Sequence, residues 1–318
     1  MEKHYQVNPN NLRSQKEDIV KQNALWYRAL SSVLFDMDNL NYAVIKGEAL
    51  SVMAYGEKGY RDSGDVDILV DRKHIKSVRD VFLKHGFNDN LLDNDGNPRS
   101  LTREEKIMFM NSHQVLPFYK NLSQGSDDAF LCVDINVDIF WGEYRGKRID
   151  MNSFLSDTVY MDLHDCHIKV LSPIKAFIQL CMHHYKEMHA LYYLKLGNPF
   201  TEKMFQDVYC LYDRHIKNKI NYLLKFVEEY SLEEVFYYIL YYTNLVFPDY
   251  ILEKHLKLFE TDEGVKKLNS YGLNENEIRE WNVDFYTRMN HPNIYSVVEP
   301  QLQDGDKEKI ERALSIFL

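Results

Sequence analysis

Arg61-Asp62-Ser63-Gly64-Asp65-Val66-Asp67-Ile68-Leu69-Val70 is an apolar run with two acids set into it, one residue apart. Successive side chains of a strand point to opposite faces, so Val66, Ile68 and Val70 share one face, while Asp65, Asp67 and Leu69 share the other. The two carboxylates then stand side by side at about 7 Å, two strand rises apart. Two anions in a segment apolar enough to be a central strand call for a cation between them.

The residues upstream supply a setting for such a cation. Tyr42 to Lys46 reads as a strand, Gly47 lets the chain turn, and Glu48 to Tyr55 reads as a short helix. The first amides of that helix have no internal partners and can face an anion. A glycine turn, a helix N-terminus and an Asp-x-Asp strand together predict a metal-phosphate site. Mg2+ takes oxygen ligands and is commonly held by one or two carboxylates plus substrate phosphates.

A later strand offers further acids. From Ala129 to Trp141 the alternation places Leu131, Val133, Ile135, Val137, Ile139 and Trp141 on one face. Cys132, Asp134, Asn136, Asp138 and Phe140 fall on the other. Asp134 and Asp138 lie about 13 Å apart by strand rise, so only one of them can complete the site.

Elsewhere the chain carries three capping boxes, Ser14 to Glu17, Thr102 to Glu105 and Ser231 to Glu234, each predicting a helix start. The first opens a helix to about Phe35. Asp71 is a candidate N-cap for a helix that Gly86 ends, and Phe87 to Leu92 reads as a further strand. Gln114 to Lys120 pairs antiparallel with the second acidic strand across the polar loop Asn121 to Asp128. His167 to Leu171 is the last strand, and Ser172-Pro173 starts a helix with proline at its first position. Helices are predicted from there over 174–195, 202–217, 219–230, 232–246, 249–260 and 306–318.

Composition bounds the rest. The 318 residues leave room for two domains, and 38 basic against 48 acidic residues give a net charge of -10. Nucleic-acid binding draws on an excess of Lys and Arg, which argues against a polynucleotide substrate. Cys132, Cys166, Cys181 and Cys210 show no CxxC spacing, so reduced thiols are expected rather than a zinc cluster or a disulfide framework. The first ten residues lack the apolar core of a signal peptide, and no later run has the length of a membrane span, which predicts a cytoplasmic protein. His183, His184 and His189 lack the i, i+4 spacing of a zincin pair, and adjacency puts His183 and His184 on different helix faces, so packing or substrate contact is their expected role. Tyr237, Tyr238, Tyr241 and Tyr242 read as helix core.

Lys46-Gly47-Glu48-Ala49-Leu50, Arg61 and Gly64 to Val70 resemble the glycine turn and Asp-x-Asp strand of the DNA polymerase beta type nucleotidyltransferase superfamily. More narrowly, Val137-Asp138-Ile139-Phe140-Trp141, Leu180 to His184 and Phe205-Gln206-Asp207-Val208 are similar to the branch called the uncharacterised nucleotidyltransferase family. Phe140 replaces the histidine typical of the branch, and Glu48 stands where a small phosphate-meeting residue is usual. The gap from Gly47 to Asp65 is longer than usual. His113 matches a position often His in the branch, where it would touch a nucleotide.

The resemblance implies an α+β fold: a nucleotidyltransferase mixed sheet with flanking helices over residues 1–171, then an all-helical substrate-binding domain over 172–318. It implies transfer of a nucleoside monophosphate from an NTP to a small-molecule or peptide or protein acceptor, with pyrophosphate released. Asp65, Asp67 and Asp138 would hold Mg2+, two ions or Mn2+ in their place, and Gly47 with Lys46 or Arg61 would seat the triphosphate. The alignment selects Asp138 over Asp134 as third carboxylate. A non-catalytic nucleotide- or partner-binding module on the same fold is the alternative, which Glu48 keeps open.

Overall fold

The computed structural model describes residues 9–89, 91–92, 98–123 and 130–317. The chain divides into two compact units, one made of residues 1–138 and 150–172 and the other of 139–149 and 173–318. The segment Ile139–Ile149 thus belongs with the later helices, although it interrupts the first unit in sequence.

The first unit is built on a six-stranded mixed sheet. In chain order its strands are β1 (Tyr42–Ile45), β2 (Val66–Val70), β3 (Gln114–Asn121), β4 (Phe130–Asn136), β5 (Val159–Leu163) and β6 (Cys166–Val170). Their order across the sheet is β3-β4-β2-β1-β6-β5. The pairs β1/β2, β3/β4 and β5/β6 are antiparallel, whereas β2/β4 and β1/β6 are parallel. β1 and β2 are buried along their whole length. That is the pattern of central strands covered on both faces. Edge strand β3 contains Pro117, which has no N–H for a ladder, and the β3/β4 register shifts between Val115 and Phe118.

Helix α1 (Pro9–Asp36) begins five residues before the expected capping box, and the side chain of Ser14 lies outside the described ones. Trp26, Leu30, Val33 and Leu34 are buried along its stripe, and its Tyr27 carbonyl accepts a bond from Cys166 Sγ of β6 at 3.0 Å. Helix α2 (Gly47–Tyr55) ends at Gly56 in a left-handed cap, and α3 (Ile75–Lys84) follows a 3-10 turn that Asp71 caps through the amide of Lys73. The capping box at Thr102 forms as expected: Thr102 Oγ1 accepts from the amide of Glu105 and Glu105 from that of Thr102, at the head of α4 (Arg103–Asn111). Among the described residues between Phe87 and Leu92, Leu91–Leu92 is strand, joined to Pro98–Arg99, and Asn88 forms a bridge to Tyr119. Residues 93–97 and 124–129, which carry much of two expected loops, lie outside the described residues.

β4 is shorter than its alternation suggests. The chain leaves the sheet after Asn136, so Asp138 lies beyond the strand rather than on its acidic face. From Ile139 on, the backbone bends into a loop whose carbonyls at Trp141, Gly142 and Tyr144 accept from the Arg148 guanidinium at 3.0 to 3.1 Å. Trp141 O also accepts the Tyr144 amide at 3.1 Å, so the loop's carbonyls are engaged within the loop. β5 escapes the sequence reading because Val159, Tyr160 and Asp162 are exposed and its apolar alternation is weak. It joins β6 through His164 and Asp165, both at positive φ (48° and 66°), the conformation of a tight I′ hairpin turn.

The second unit is helical. Helix α5 (Pro173–His189) breaks at Ala190 before a short helix Leu191–Leu196, and the expected 202–217 helix runs as Glu202–Leu211 followed by a wider turn over Tyr212–Ile216. Ile220–Tyr230, Glu233–Val246, Tyr250–Leu256 and Asp304–Phe317 match expected helices. Asp262–Lys267, Phe285–Asn290 and the small ladder of Ser270–Tyr271 with Arg279–Glu280 were not signalled. Ser231 does not cap the helix after it. At φ 54° it closes the preceding helix in the left-handed region, its amide bonding Glu228 O, and Leu232 takes the N-cap place without a side-chain bond. Tyr237, Tyr238 and Tyr242 are core. Among the described residues no helix is long and apolar enough to cross a membrane.

Candidate active site

The site grows from the register of three strands. Ile45 pairs with Asp67 across β1/β2, which puts Lys46 beside that carboxylate as the chain leaves β1. Asp67 pairs with Asp134, and Leu69 with Asn136, across the parallel β2/β4 ladder. Paired residues project to the same face. Asp67 and Asp134 are therefore neighbours on adjacent strands, a relation that no spacing within either strand reveals.

The contacts follow. Asp67 Oδ1 accepts from Lys46 Nζ and from Asn136 Nδ2, each at 2.9 Å, and the residue is buried. Asp134 Oδ2 accepts from Gln114 Nε2 at 2.6 Å, and its Oδ1 lies 3.7 Å from Cys132 Sγ. Ser63 Oγ stands 3.5 Å from Asp65 Oδ1, in the bend just before β2. Burial pushes the Asp65 and Asp134 carboxyls well above the ordinary carboxylate range, and the charge of Asp67 beside them raises both further. Lys46 opposes the rise without cancelling it.

Of the residues expected from sequence, the structure brings Lys46 to Asp67 by direct contact, with Asp65 close enough to both to feel their charge. Gly47 opens α2 at φ 43°, following Lys46 at φ 56°, a left-handed pair of turn residues of which only glycine is free of strain. No side chain caps this helix start. Arg61 is half-buried in the loop before Asp65, and Asp138 is half-buried two residues beyond β4. Asp134, Asn136 and Gln114 complete the constellation, and of these sequence reasoning singled out only Asp134, as the alternative to Asp138.

Glu48 takes a place unlike the one its position suggests. Its side chain turns into the protein, 1% exposed, where Oε2 accepts the Gly59 amide at 3.0 Å and Oε1 lies 3.2 Å from His164 Nε2. His164 stacks on Tyr27 of α1. Glu48 thereby ties the start of α2 to the loop before β2 and to the β5–β6 turn.

A divalent cation suits this donor set. Asp65, Asp67 and Asp134 offer carboxylate oxygens alone, the choice of a hard ion, and burial first, then the charge of Asp67, raises the Asp65 and Asp134 carboxyls by more than Lys46 offsets. The three are not drawn into one tight set. Among the described residues, three ligand atoms all within 4.8 Å of one another occur at His183, His184 and Glu187, while Asp67 is turned toward Lys46 and Asn136.

The profile of a family described as uncharacterised nucleotidyltransferase matches residues 2–248. The chain belongs to that family. No curated protein matches it. Among solved structures, the crystal structure of an antigenic nucleotidyltransferase-like protein from Paracoccidioides brasiliensis is similar at 12% identity and a TM-score of 0.33, over 63% of this chain and 76% of that one.

Proposed function

We propose that this nucleotidyltransferase-family chain transfers a nucleoside monophosphate from an NTP to a hydroxyl-bearing small molecule or to a peptide or protein side chain, releasing pyrophosphate. The observation that carries the reading is the β2/β4 register, which sets Asp67 beside Asp134 with Lys46 at the turn that opens α2. Asp65, Asp67 and Asp134 would hold Mg2+ there. Bound, it would neutralise the triphosphate and clamp the attacking and leaving oxygens.

The chain's own residues divide the remaining work. Lys46 leaves Asp67 for a phosphate oxygen, and the amides at Gly47, with Arg61, seat the triphosphate. Asn136 and Gln114 hold Asp67 and Asp134 in orientation. Asp134, beside Asp67 on the neighbouring strand, accepts the acceptor's proton as the acceptor oxygen bonds the α-phosphorus and the bond to the β-phosphate oxygen breaks. The net charge of -10 argues for an acceptor other than a polynucleotide. Glu48, engaged by Gly59 and His164, does not oppose phosphate from the helix start.

The test is incubation with each α-labelled NTP and Mg2+ across metabolite and peptide pools, with wild type beside Asp65→Ala/Asp67→Ala. Label transferred by wild type alone is expected. Equal labelling by both proteins removes the site assignment, and tight NTP binding without transfer in any pool makes the chain a binding module.

A further inference from the structure

Helix α5 carries a second cluster of metal-ligating side chains, made of residues that take no part in the reaction above. Glu187 reaches back one turn to two adjacent histidines. Its Oε1 lies 3.0 Å from His183 Nε2, and its Oε2 lies 3.5 Å from His184 Nδ1. One ligand atom from each of the three residues falls within 4.8 Å of both others. Adjacent histidines on a helix ordinarily diverge. Here the rings lean together, centroids 5.7 Å apart at 41°, and the glutamate at i+4 and i+3 spans them.

His184 points to a ligand. It is 4% exposed, and among the described residues neither ring nitrogen makes a well-formed hydrogen bond, Nδ1 standing 3.5 Å from Glu187 Oε2. Buried polar groups are rarely left so, and each that is calls for a missing partner. An imidazole nitrogen bound to a metal is satisfied. His183 and Glu187 are only partly covered, their side chains 14% and 21% exposed, which leaves an entry for an ion.

We propose that His183, His184 and Glu187 form a binding site for a borderline divalent cation, Zn2+ foremost. Two imidazoles and one carboxylate are a zinc donor set that leaves a fourth position open to water or substrate. Tetrahedral bonds of about 2.0 to 2.1 Å set ligand atoms about 3.3 Å apart, a spacing that one atom from each of these residues, already within 4.8 Å of the other two, reaches by a small side-chain adjustment. Imidazole ligation separates this site from an oxygen-only Mg2+ site. All three ligands come from one helical turn, so the metal closes no long loop, and an affinity in the micromolar range is expected.

The test titrates Zn2+, and Co2+ as a spectroscopic probe, into full-length Asp65→Asn/Asp67→Asn protein, which removes the aspartate pair as a competing site and makes the outcome independent of the proposed transferase activity. One equivalent of Zn2+ should bind with excess Mg2+ present, and Co2+ should give the intense visible bands of a four-coordinate ion. Glu187→Gln and His184→Asn should each weaken Zn2+ binding at least tenfold while melting cooperatively. X-ray absorption of the zinc-loaded protein, which needs no further variant, should fit two imidazoles and a carboxylate. Absence of stoichiometric binding at 100-fold excess zinc, unchanged affinity in folded variants, or an all-oxygen shell would each overturn the site.

Discussion

Glu48 Oε2 accepts the Gly59 amide at 3.0 Å while its Oε1 lies 3.2 Å from His164 Nε2, a buried junction that ties α2 and the loop after it to a turn more than 100 residues on. A carboxylate accepting a backbone amide is worth more than a neutral pair, about 1.5–3 kcal/mol. Glu48→Ala should therefore lower unfolding stability by about that amount, read from urea melts. Glu48→Gln keeps an acceptor for Gly59 and should cost less than half as much. Equal losses in the two variants would mean that shape, and not hydrogen bonding, holds the junction.

Asp134 and Asp138 make a sharp pair for kinetics. Asp134 stands in register with Asp67, whereas Asp138 lies past the end of β4. If Asp134 takes the acceptor's proton, Asp134→Asn should reduce kcat by about 100-fold or more. Asp138→Asn should change it by less than about tenfold, below the roughly 100-fold that a proton-transfer group contributes at the least. The reverse order would return the role to Asp138.

Asp249 caps the helix Tyr250–Leu256, accepting from the amides of Leu252 at 2.9 Å and Ile251 at 2.7 Å and from Lys217 Nζ at 3.0 Å. The Leu252 amide foremost, with Lys217, lowers its pKa to about 2. A depressed carboxyl stabilises the fold above its unfolded pKa, and that contribution fades as pH falls from about 4 to about 2. Asp249→Asn should be less stable than wild type by about 2 kcal/mol at pH 7, and the gap should close near pH 2. Thermal melts of both proteins from pH 6 to pH 2 check this, and a gap constant with pH would contradict it.

Arg288 is 2% exposed, boxed by Phe200, Tyr242, Trp281 and Phe285, with the guanidinium carbon 5.2 to 5.5 Å from each ring centroid. Its Nη2 donates to Tyr242 Oη at 2.8 Å, while among the described residues Nε and Nη1 have no hydrogen-bond partner. A flat, weakly hydrated cation tolerates such a box, and a compact ammonium does not. Arg288→Lys should be at least about 1 kcal/mol more destabilising than Arg288→Met, which fills the space without charge. Chemical denaturation of the two variants decides it.

The sequence carried the local parts of this fold well. The apolar strand that carries Asp67, the glycine turn and the Thr102 box all follow from neighbours within a few residues, and all form, with Asp65 in the bend just before that strand. Ser231 shows the limit: the same S-x-x-E pattern suits an N-cap or a left-handed stop, and the helix behind it decided. The length of β4 was misread because Val137 and Ile139 are indeed buried, but outside the sheet. The partner of Asp67 was illegible for a deeper reason. Parallel strands far apart in sequence have no turn to fix their register, so that Asp134 stands opposite Asp67 shows only in the ladder.

The excursion of Ile139–Ile149 has a consequence for how the chain is made. Its side chains find their partners downstream: Trp141 stacks on Tyr185, Lys147 bonds Glu229 at 3.2 Å, and Glu143 accepts from Asn274. A ribosome therefore releases the whole sheet while Trp141 still lacks the Tyr185 ring it stacks on. The first unit is continuous in space but not in the gene, and a stop codon after Ser172 would yield a sheet with an adhesive apolar loop rather than an independent domain.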